Sequence, residues 1–310
     1  METSMQQALS VTVIGAGLMG HGIAQVFARA GNRVTLTDPN QAALDAALRH
    51  IARNLAEMNI EAEPVLANIA IEAELSQAVR TADLVIEAAP ELLALKQRIF
   101  SDVAKWAPEH AIFASNTSVI PITQIGELLE ANARARLLGM HWWNPPHLIP
   151  LVEVVRTVHT REDVFQTGFD ILAAVGKMPV KVHQDVAGFI GNRLQHALWR
   201  EAFALIDAGV CDAETIDTVI KNSFGMRLSV LGPMENADLV GLDLIREVHA
   251  VVFPDLDCSK TPSPTLSQLI KQGDLGMKSG KGLRAWTPQQ ADEVRRRLAA
   301  LLISMNAPVG

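Results

Sequence analysis

Tyrosine is absent from this chain of 310 residues, and cysteine occurs only as Cys211 and Cys258. Without tyrosine, the Tyr-x-x-x-Lys pair that supplies the proton in short-chain dehydrogenases is excluded, and histidine is the natural candidate for that work. Two distant cysteines without metal-type spacing exclude a disulfide framework and a zinc cluster, and make a reducing compartment the default. The formal net charge of −7 leaves no basic surplus for gripping a phosphate backbone, so no nucleic-acid partner is expected. No apolar run approaches the roughly 20 residues of a membrane span. Residues 1–10 lack both a charged leader and a long apolar stretch, so they are expected to form a short loose tail on a cytoplasmic protein. Lysine, too, is missing from the first 95 residues; Lys96 is the first.

What is present is a chain with 49% hydrophobic and 20% charged residues, as in globular proteins, and long for one core, which predicts two domains. Val11–Ile14 reads as a short buried strand. It runs directly into Gly15-Ala16-Gly17-Leu18-Met19-Gly20, and helical spacing of Ile23, Ala24, Val26 and Phe27 follows as far as Gly31. In a strand–turn–helix, the first glycine allows the tight turn, the second lets a pyrophosphate reach the backbone, and the third lets helix pack on strand. The unpaired N–H groups at the helix start favour phosphate. A second strand, Arg33–Thr37, ends at Asp38, 23 residues after Gly15. A carboxylate there accepts from both adenosine-ribose hydroxyls and repels a 2′-phosphate, so the expected cofactor is NAD rather than NADP.

Strands and helices then alternate. Gln41–Met58 is an amphipathic helix with Asp45/Arg49 and Arg53/Glu57 at i,i+4 spacing. Strands are expected at 69–71, 84–87, 111–115 and 136–140, with helices at 74–79, 92–106 and near 121–129. This pattern predicts an α/β, Rossmann-like, mostly parallel sheet. From Ala187 onward the pattern is helical only, over 190–208, 213–221, 241–253 and 288–305. The break falls near 182–186, which divides the chain into a cofactor domain, 1–184, and an all-α domain, 185–310. Substrate is expected in the cleft between them.

Met140-His141-Trp142-Trp143-Asn144-Pro145-Pro146 places a histidine at the end of one apolar run. Leu151-Val152-Glu153-Val154-Val155 places a glutamate inside the next. A carboxylate in an apolar strand needs a partner. Beside a dinucleotide motif, this pairing points to alcohol dehydrogenation by a His–Glu couple. His147 is not metal-spaced with His141, and no metal is expected. His21 reads as a surface residue at the helix start.

Several motifs in order carry a resemblance: the Gly15–Gly20 loop, Val85-Ile-Glu-Ala-Ala-Pro-Glu91, Ser115-Asn-Thr-Ser118, His141–Pro146, Glu153 and Gly188-Phe-Ile-Gly-Asn192-Arg193. They continue with Gly232-Pro-Met-Glu235, Asp238, Gly241-Leu-Asp243 and Lys278-Ser-Gly-Lys-Gly282. Together they resemble the 3-hydroxyacyl-CoA dehydrogenase family, which includes members acting without CoA, over nearly the whole chain. The resemblance implies that His141 is the general base and that Glu153 orients it. It also implies that Ser118 and Asn192 donate to the substrate oxygen and that Asn144 supports the pocket. Glu91 and Lys96 would lie near the nicotinamide ribose, Lys278 would reach the cofactor, and a homodimer would form through the helical domain.

The implied activity is NAD-dependent interconversion of an L-3-hydroxyacyl compound and its 3-keto form, with 3-hydroxyacyl-CoA of fatty-acid metabolism as substrate. The alternatives are a free 3-hydroxy acid or 3-keto ester, or a catalytically silent, crystallin-like NAD(H)-binding protein. Departures from the family pattern concern the substrate. CoA-dependent members place a serine and a lysine near the helix after the second strand, where this chain offers only Arg49 and Arg53. Trp142-Trp143 stand where two phenylalanines are common and are expected to reshape the pocket if either ring faces it. Gly282-Leu-Arg-Ala-Trp286 replaces the usual Gly-Phe-Tyr.

Overall fold

The computed structural model describes residues 8–305. Of the tail expected over residues 1–10, residues 1–7 lie outside that range, and Ser10 already opens the first strand. The chain divides into two compact units. One runs up to Arg193 and takes in the described residues from Leu302; the other is Leu194–Leu301.

The first unit holds β1 (Ser10–Ile14), β2 (Arg33–Thr37), β3 (Ile69–Glu72), β4 (Leu84–Glu87), β5 (Ile112–Ser115), β6 (Leu137–Trp142), β7 (Leu151–Val155) and β8 (Met178–Val182). They form one sheet in the order β3-β2-β1-β4-β5-β6-β7-β8. Every neighbouring pair is parallel except β6–β7, so the sheet is mostly parallel as expected. The strands read as near-continuous apolar runs because both faces are covered. Leu84, Ile86, Ile112, Ala114, Leu138, Met140 and Trp142 enter one core with Phe27 and Phe165. Val85, Phe113, Leu137 and Val155 enter the other, with Phe100 and Phe189. Fully burying each such phenylalanine contributes about 1.5–3 kcal/mol.

This alternation also positions the site. Counting by twos from Val85, Phe113, Leu137 and Val155 puts Glu87, Ser115, His141 and Glu153 on a single face of the sheet. The three parallel strands deliver their members at their carboxyl ends, and antiparallel β7 delivers Glu153 directly opposite His141. Chain order reverses between β1 and β4, and the crevice outside the carboxyl ends at such a point is where dinucleotides bind.

Several elements differ from expectation. β6 extends to Trp142, so His141 lies inside the strand rather than after it. The helix expected over 121–129 is one turn, Ile122–Ile125, with Pro121 before it and Gly126 after it. Residues 156–183, for which no element is expected, form the helix Glu162–Ala174 and strand β8. Pro179 and Lys181 interrupt the apolar pattern of β8, which is tolerable because β8 is an edge strand.

In the second unit, Ala213–Lys221 is helical as expected, and Pro233–Val240 and Pro264–Lys271 are helices that periodicity did not reveal. Among its described residues only Ala291 is buried. Leu198, Trp199, Leu239, Leu244, Val251 and Phe253 are all exposed.

Candidate active site

The glycine loop has the geometry its sequence requires. Gly15 has φ +100°, and a Cβ there would meet the Ala88 carbonyl oxygen at 2.7 Å. A Cβ on Gly20 would lie 1.7 Å from the Gly15 carbonyl oxygen. Gly17 has nothing within 4 Å of its Cβ position and precedes the Leu18–Arg29 helix without a side-chain cap. The helix start thus has no side-chain cap and an open approach at Gly17, which fits a pyrophosphate. Leu18 is exposed, and Met19 packs partly against the core. Asp38 is held by its own backbone: Oδ2 accepts from Ala16 N–H and Oδ1 from Asn40 N–H, both at 2.9 Å. Each oxygen keeps a lone pair for a ribose hydroxyl. His21 is buried rather than at the surface, its Nδ1–H donating to the Gly17 carbonyl at 2.8 Å.

At the carboxyl ends of β4 and β5 lies a closed ring of hydrogen bonds. Glu87 Oε2 accepts from Ser115 Oγ at 2.6 Å, and Ser115 Oγ accepts from Thr117 N–H at 3.2 Å. Thr117 Oγ1 donates to Glu91 Oε1. Lys96 Nζ closes the ring, 2.7 Å from Glu87 Oε1 and 3.1 Å from Glu91 Oε2. Glu91 also accepts from the backbone N–H groups of Ser118 and Val119, at 3.1 and 3.3 Å. Burial pushes the Glu91 carboxyl upward, but the Thr117 hydrogen bond and the Lys96 charge outweigh it, and the net shift is below the ordinary value. Lys96 is fully buried with its three protons directed at Glu87, Glu91 and the Ala89 carbonyl, so it is not the solvated cation its spacing from Glu91 would allow.

The ring fixes the turn that carries Ser118, whose hydroxyl has no partner among the described residues. Ser118 does not cap the following helix. Its carbonyl accepts from Asn192 Nδ2 at 3.0 Å, so the two expected substrate donors are brought together. Asn116 Oδ1 accepts from Trp142 N–H, next to the base, at 2.9 Å.

His141 Nδ1 lies 2.7 Å from Glu153 Oε2, with both residues buried. Glu153 Oε1 accepts from Ile190 N–H and Gly191 N–H at 2.9 and 3.0 Å. Two successive residues of positive φ, Gly188 at 75° and Phe189 at 50°, turn the chain so that these N–H groups converge. Burial raises the Glu153 carboxyl, while the His141, Gly191 and Ile190 hydrogen bonds lower it further, and the net shift is downward. The imidazole stands between the rings of Trp143 and Phe189, at 5.3 and 5.5 Å. Its Nε2 has no hydrogen-bond partner among the described residues.

Only one of the paired tryptophans faces the site. Trp142 points into the core, 6.0 Å from Phe27, so the condition that a ring face the base is met by Trp143 alone. Trp143 fits because residue 191 is glycine; a Cβ there would come within 2.4 Å of the indole. Asn144 is exposed at the start of the next loop. Lys177 Nζ holds that loop by donating to the Pro146 and Ile149 carbonyls at 2.6 and 2.9 Å. Lys278 is exposed in the helical unit, on the turn Met277–Ser279. The described residues contain no group of side chains able to hold a metal ion. Glu87, Thr117, Phe189 and Lys177 were not singled out from the sequence, although a glutamate ending the buried strand Leu84–Glu87 signals a hidden partner.

A dinucleotide crevice with a His–Glu pair at its edge defines the class, an NAD-dependent oxidoreductase of CH–OH groups. The chain belongs to the 3-hydroxyacyl-CoA dehydrogenase family: the family's NAD binding domain matches residues 10–186 and its C-terminal domain residues 188–286. It is 33% identical to 5-formyl-3-hydroxy-2-methylpyridine 4-carboxylate 5-dehydrogenase of Mesorhizobium japonicum over 302 residues, 96% of each chain. It is 37% identical to human mitochondrial hydroxyacyl-coenzyme A dehydrogenase over 287 residues, 88% of this chain and 89% of that one. A crystal structure of the pyridine-carboxylate enzyme, described as an NAD+ dependent dismutase, superposes with a TM-score of 0.89 at 32% identity, covering 96% of this chain and 97% of that one.

Proposed function

We propose that this chain interconverts an L-3-hydroxyacyl compound and its 3-keto form, with a 3-hydroxyacyl-CoA such as 3-hydroxybutyryl-CoA as substrate. The observation that carries the reading is the buried His141–Glu153 pair with Nε2 left free. When bound, NAD+ supplies the acceptor for the hydride leaving the carbinol carbon. His141 Nε2 takes the hydroxyl proton; Glu153, facing Nδ1, fixes the tautomer and stabilises the imidazolium. Ser118 Oγ and Asn192 Nδ2 donate to the substrate oxygen as it gains negative charge, and Asn144 lines the same pocket. Gly15, Gly17, Leu18, Met19 and Gly20 hold the pyrophosphate and Asp38 the adenosine ribose. Glu91 and Lys96 border the nicotinamide ribose, and Lys278 is a further residue proposed to bind the cofactor. The functional division is 1–184 for cofactor and 185–310 for the helical domain. The uncovered apolar helices of the latter favour a homodimer. Two unpaired cysteines suit a reducing, cytoplasmic setting.

A second reading, a free 3-hydroxy acid or 3-keto ester, draws on a specific observation: the bulk of Trp143 beside the base. The helix Gln41–Glu57 also carries arginines but no lysine, with Arg53 3.8 Å from Glu57. The deciding experiment is NADH oxidation by the purified protein with acetoacetyl-CoA against free 3-keto acids and their esters. A kcat/KM far higher for the thioester supports the first reading, and comparable turnover of the free compounds supports the second. No turnover of any of them overturns both.

A further inference from the structure

The ring of Glu87, Ser115, Thr117, Glu91 and Lys96 carries an excess charge that holding a turn does not require. Its two hydroxyl groups each accept one backbone N–H and keep a hydrogen for a carboxylate. Thr117 Oγ1 accepts the Ile120 N–H at 3.1 Å and has its own hydrogen to give to Glu91. Ser115 Oγ accepts the Thr117 N–H and has its own hydrogen to give to Glu87. Glu87 Oε1 accepts from both Ala89 N–H and Lys96 Nζ at 2.7 Å. Both carboxyl groups face the Lys96 ammonium and backbone N–H groups, and their hydroxyl partners have hydrogens to give, a setting that suits ionised carboxylates. Two carboxylates against one ammonium leave a net charge of −1. Glu87 and Lys96 are closed off from water, so the charge is poorly screened, and the side chain of Glu91 alone opens outward, 38% exposed.

The ring sits at the carboxyl ends of β4 and β5, between the glycine loop and the His141–Glu153 pair. In a dinucleotide fold with Asp38 under the adenosine end, this is the nicotinamide half of the crevice. The nicotinamide ring is cationic when oxidised and neutral when reduced.

We propose that this ring is a charge platform, with Glu87 as its buried positioning residue, that makes the site hold the oxidised cofactor more tightly relative to the reduced one than a neutral site would. The inference rests on the placement of Glu91 beside the nicotinamide ribose. Holding the oxidised form draws the bound equilibrium toward the 3-hydroxy compound.

The test is equilibrium binding of NAD+ and NADH, without substrate, to the full-length protein and its Glu87→Gln and Glu91→Gln variants. NADH is followed by its fluorescence and NAD+ by competition. Each substitution removes one negative charge with little change in shape. The ratio Kd(NAD+)/Kd(NADH) is expected to rise about three- to tenfold in both, the effect of one partly screened unit charge. A purely structural role would shift both constants by one factor and leave the ratio unchanged, which overturns the proposal while keeping Glu91 beside the cofactor. If neither constant moves in Glu91→Gln, the placement itself is wrong. Should Glu87→Gln not fold, the half-open Glu91→Gln decides alone.

Discussion

Glu153→Gln exchanges a carboxylate oxygen for an amide nitrogen at almost constant volume. Glu153 Oε1 accepts two backbone N–H groups, so in the variant the amide oxygen must stay there. Turning the amide over would leave two buried donors facing a third, at about 1–3 kcal/mol for each unsatisfied group. The amide nitrogen is thus held where Oε2 was, 2.7 Å from His141 Nδ1. A donor in that place requires Nδ1 to accept, which moves the imidazole proton to Nε2, the atom that must be free. The base is then in the wrong tautomer and the imidazolium loses its counter-charge. A fall in kcat of about 10²–10⁴-fold is expected, or roughly 3–5 kcal/mol of barrier. The assay is steady-state NAD+ reduction with the matching 3-hydroxy substrate, the direction in which Nε2 takes the proton, alongside NADH binding by fluorescence and a thermal melt. The binding constant should hold within about twofold, since Glu153 faces His141 and the Ile190–Gly191 backbone rather than the glycine loop. A kcat within threefold of the parent, in a folded variant, would refute the reasoning.

Other perturbations follow from the same geometry. Gly191→Ala drives a methyl group into Trp143 and should lower kcat by about 10–10²-fold through a displaced indole and imidazole. Adding Trp143→Phe should recover part of the loss, and a double variant no better than Gly191→Ala would remove the indole from the account. Burial, followed by the charges of His21 and Lys177, pushes the His147 imidazole down to about 4. The unfolded chain binds that proton from about pH 6.5 downward while the folded protein resists it, so stability falls as pH drops through this window, by at most about 2 kcal/mol between pH 7 and 5. Urea unfolding at the two pH values should show the slope in the parent and a smaller one in His147→Gln. Lys177→Met removes the donor to two carbonyls of the 146–149 turn and should cost about 1–3 kcal/mol in denaturant unfolding. Unaltered stability would show that water replaces the ammonium.

Much of the site was legible because its signals are local. The glycine loop, Asp38 and the β-strand alternation are properties of neighbouring residues, and the apolar context of Glu153 announced a buried partner before its identity was known. The hydroxyl partners of Glu87 and Glu91, Ser115 and Thr117, were not legible. They come from β5 and from the turn after it, some 25 residues on, and only the register Glu87↔Ser115 brings them together. Trp142 and Trp143 looked equivalent because the end of β6 was placed too early. Once His141 lies within the strand, adjacent tryptophans must face opposite sides. The Glu162–Ala174 helix and β8 were missed for another reason: Pro179 and Lys181 break the apolar pattern, and pairing with β7 supplies what local preference does not.

The bonds from Ile190 and Gly191 to Glu153 have a consequence for how much chain makes a working catalyst. A fragment ending at Ala187 would keep every strand of the sheet, the glycine loop and both members of the His–Glu pair. It would lack the two N–H groups that hold Glu153 Oε1 in place, and Phe189, which stands against the imidazole. Such a fragment keeps its base and its carboxylate opposite one another in the β6–β7 register but loses the contacts that fix the carboxylate's rotamer and back the imidazole. The opening turn of the Gly191–Asp207 helix, outside the sheet altogether, is therefore as much a part of the proton-transfer machinery as β6 and β7.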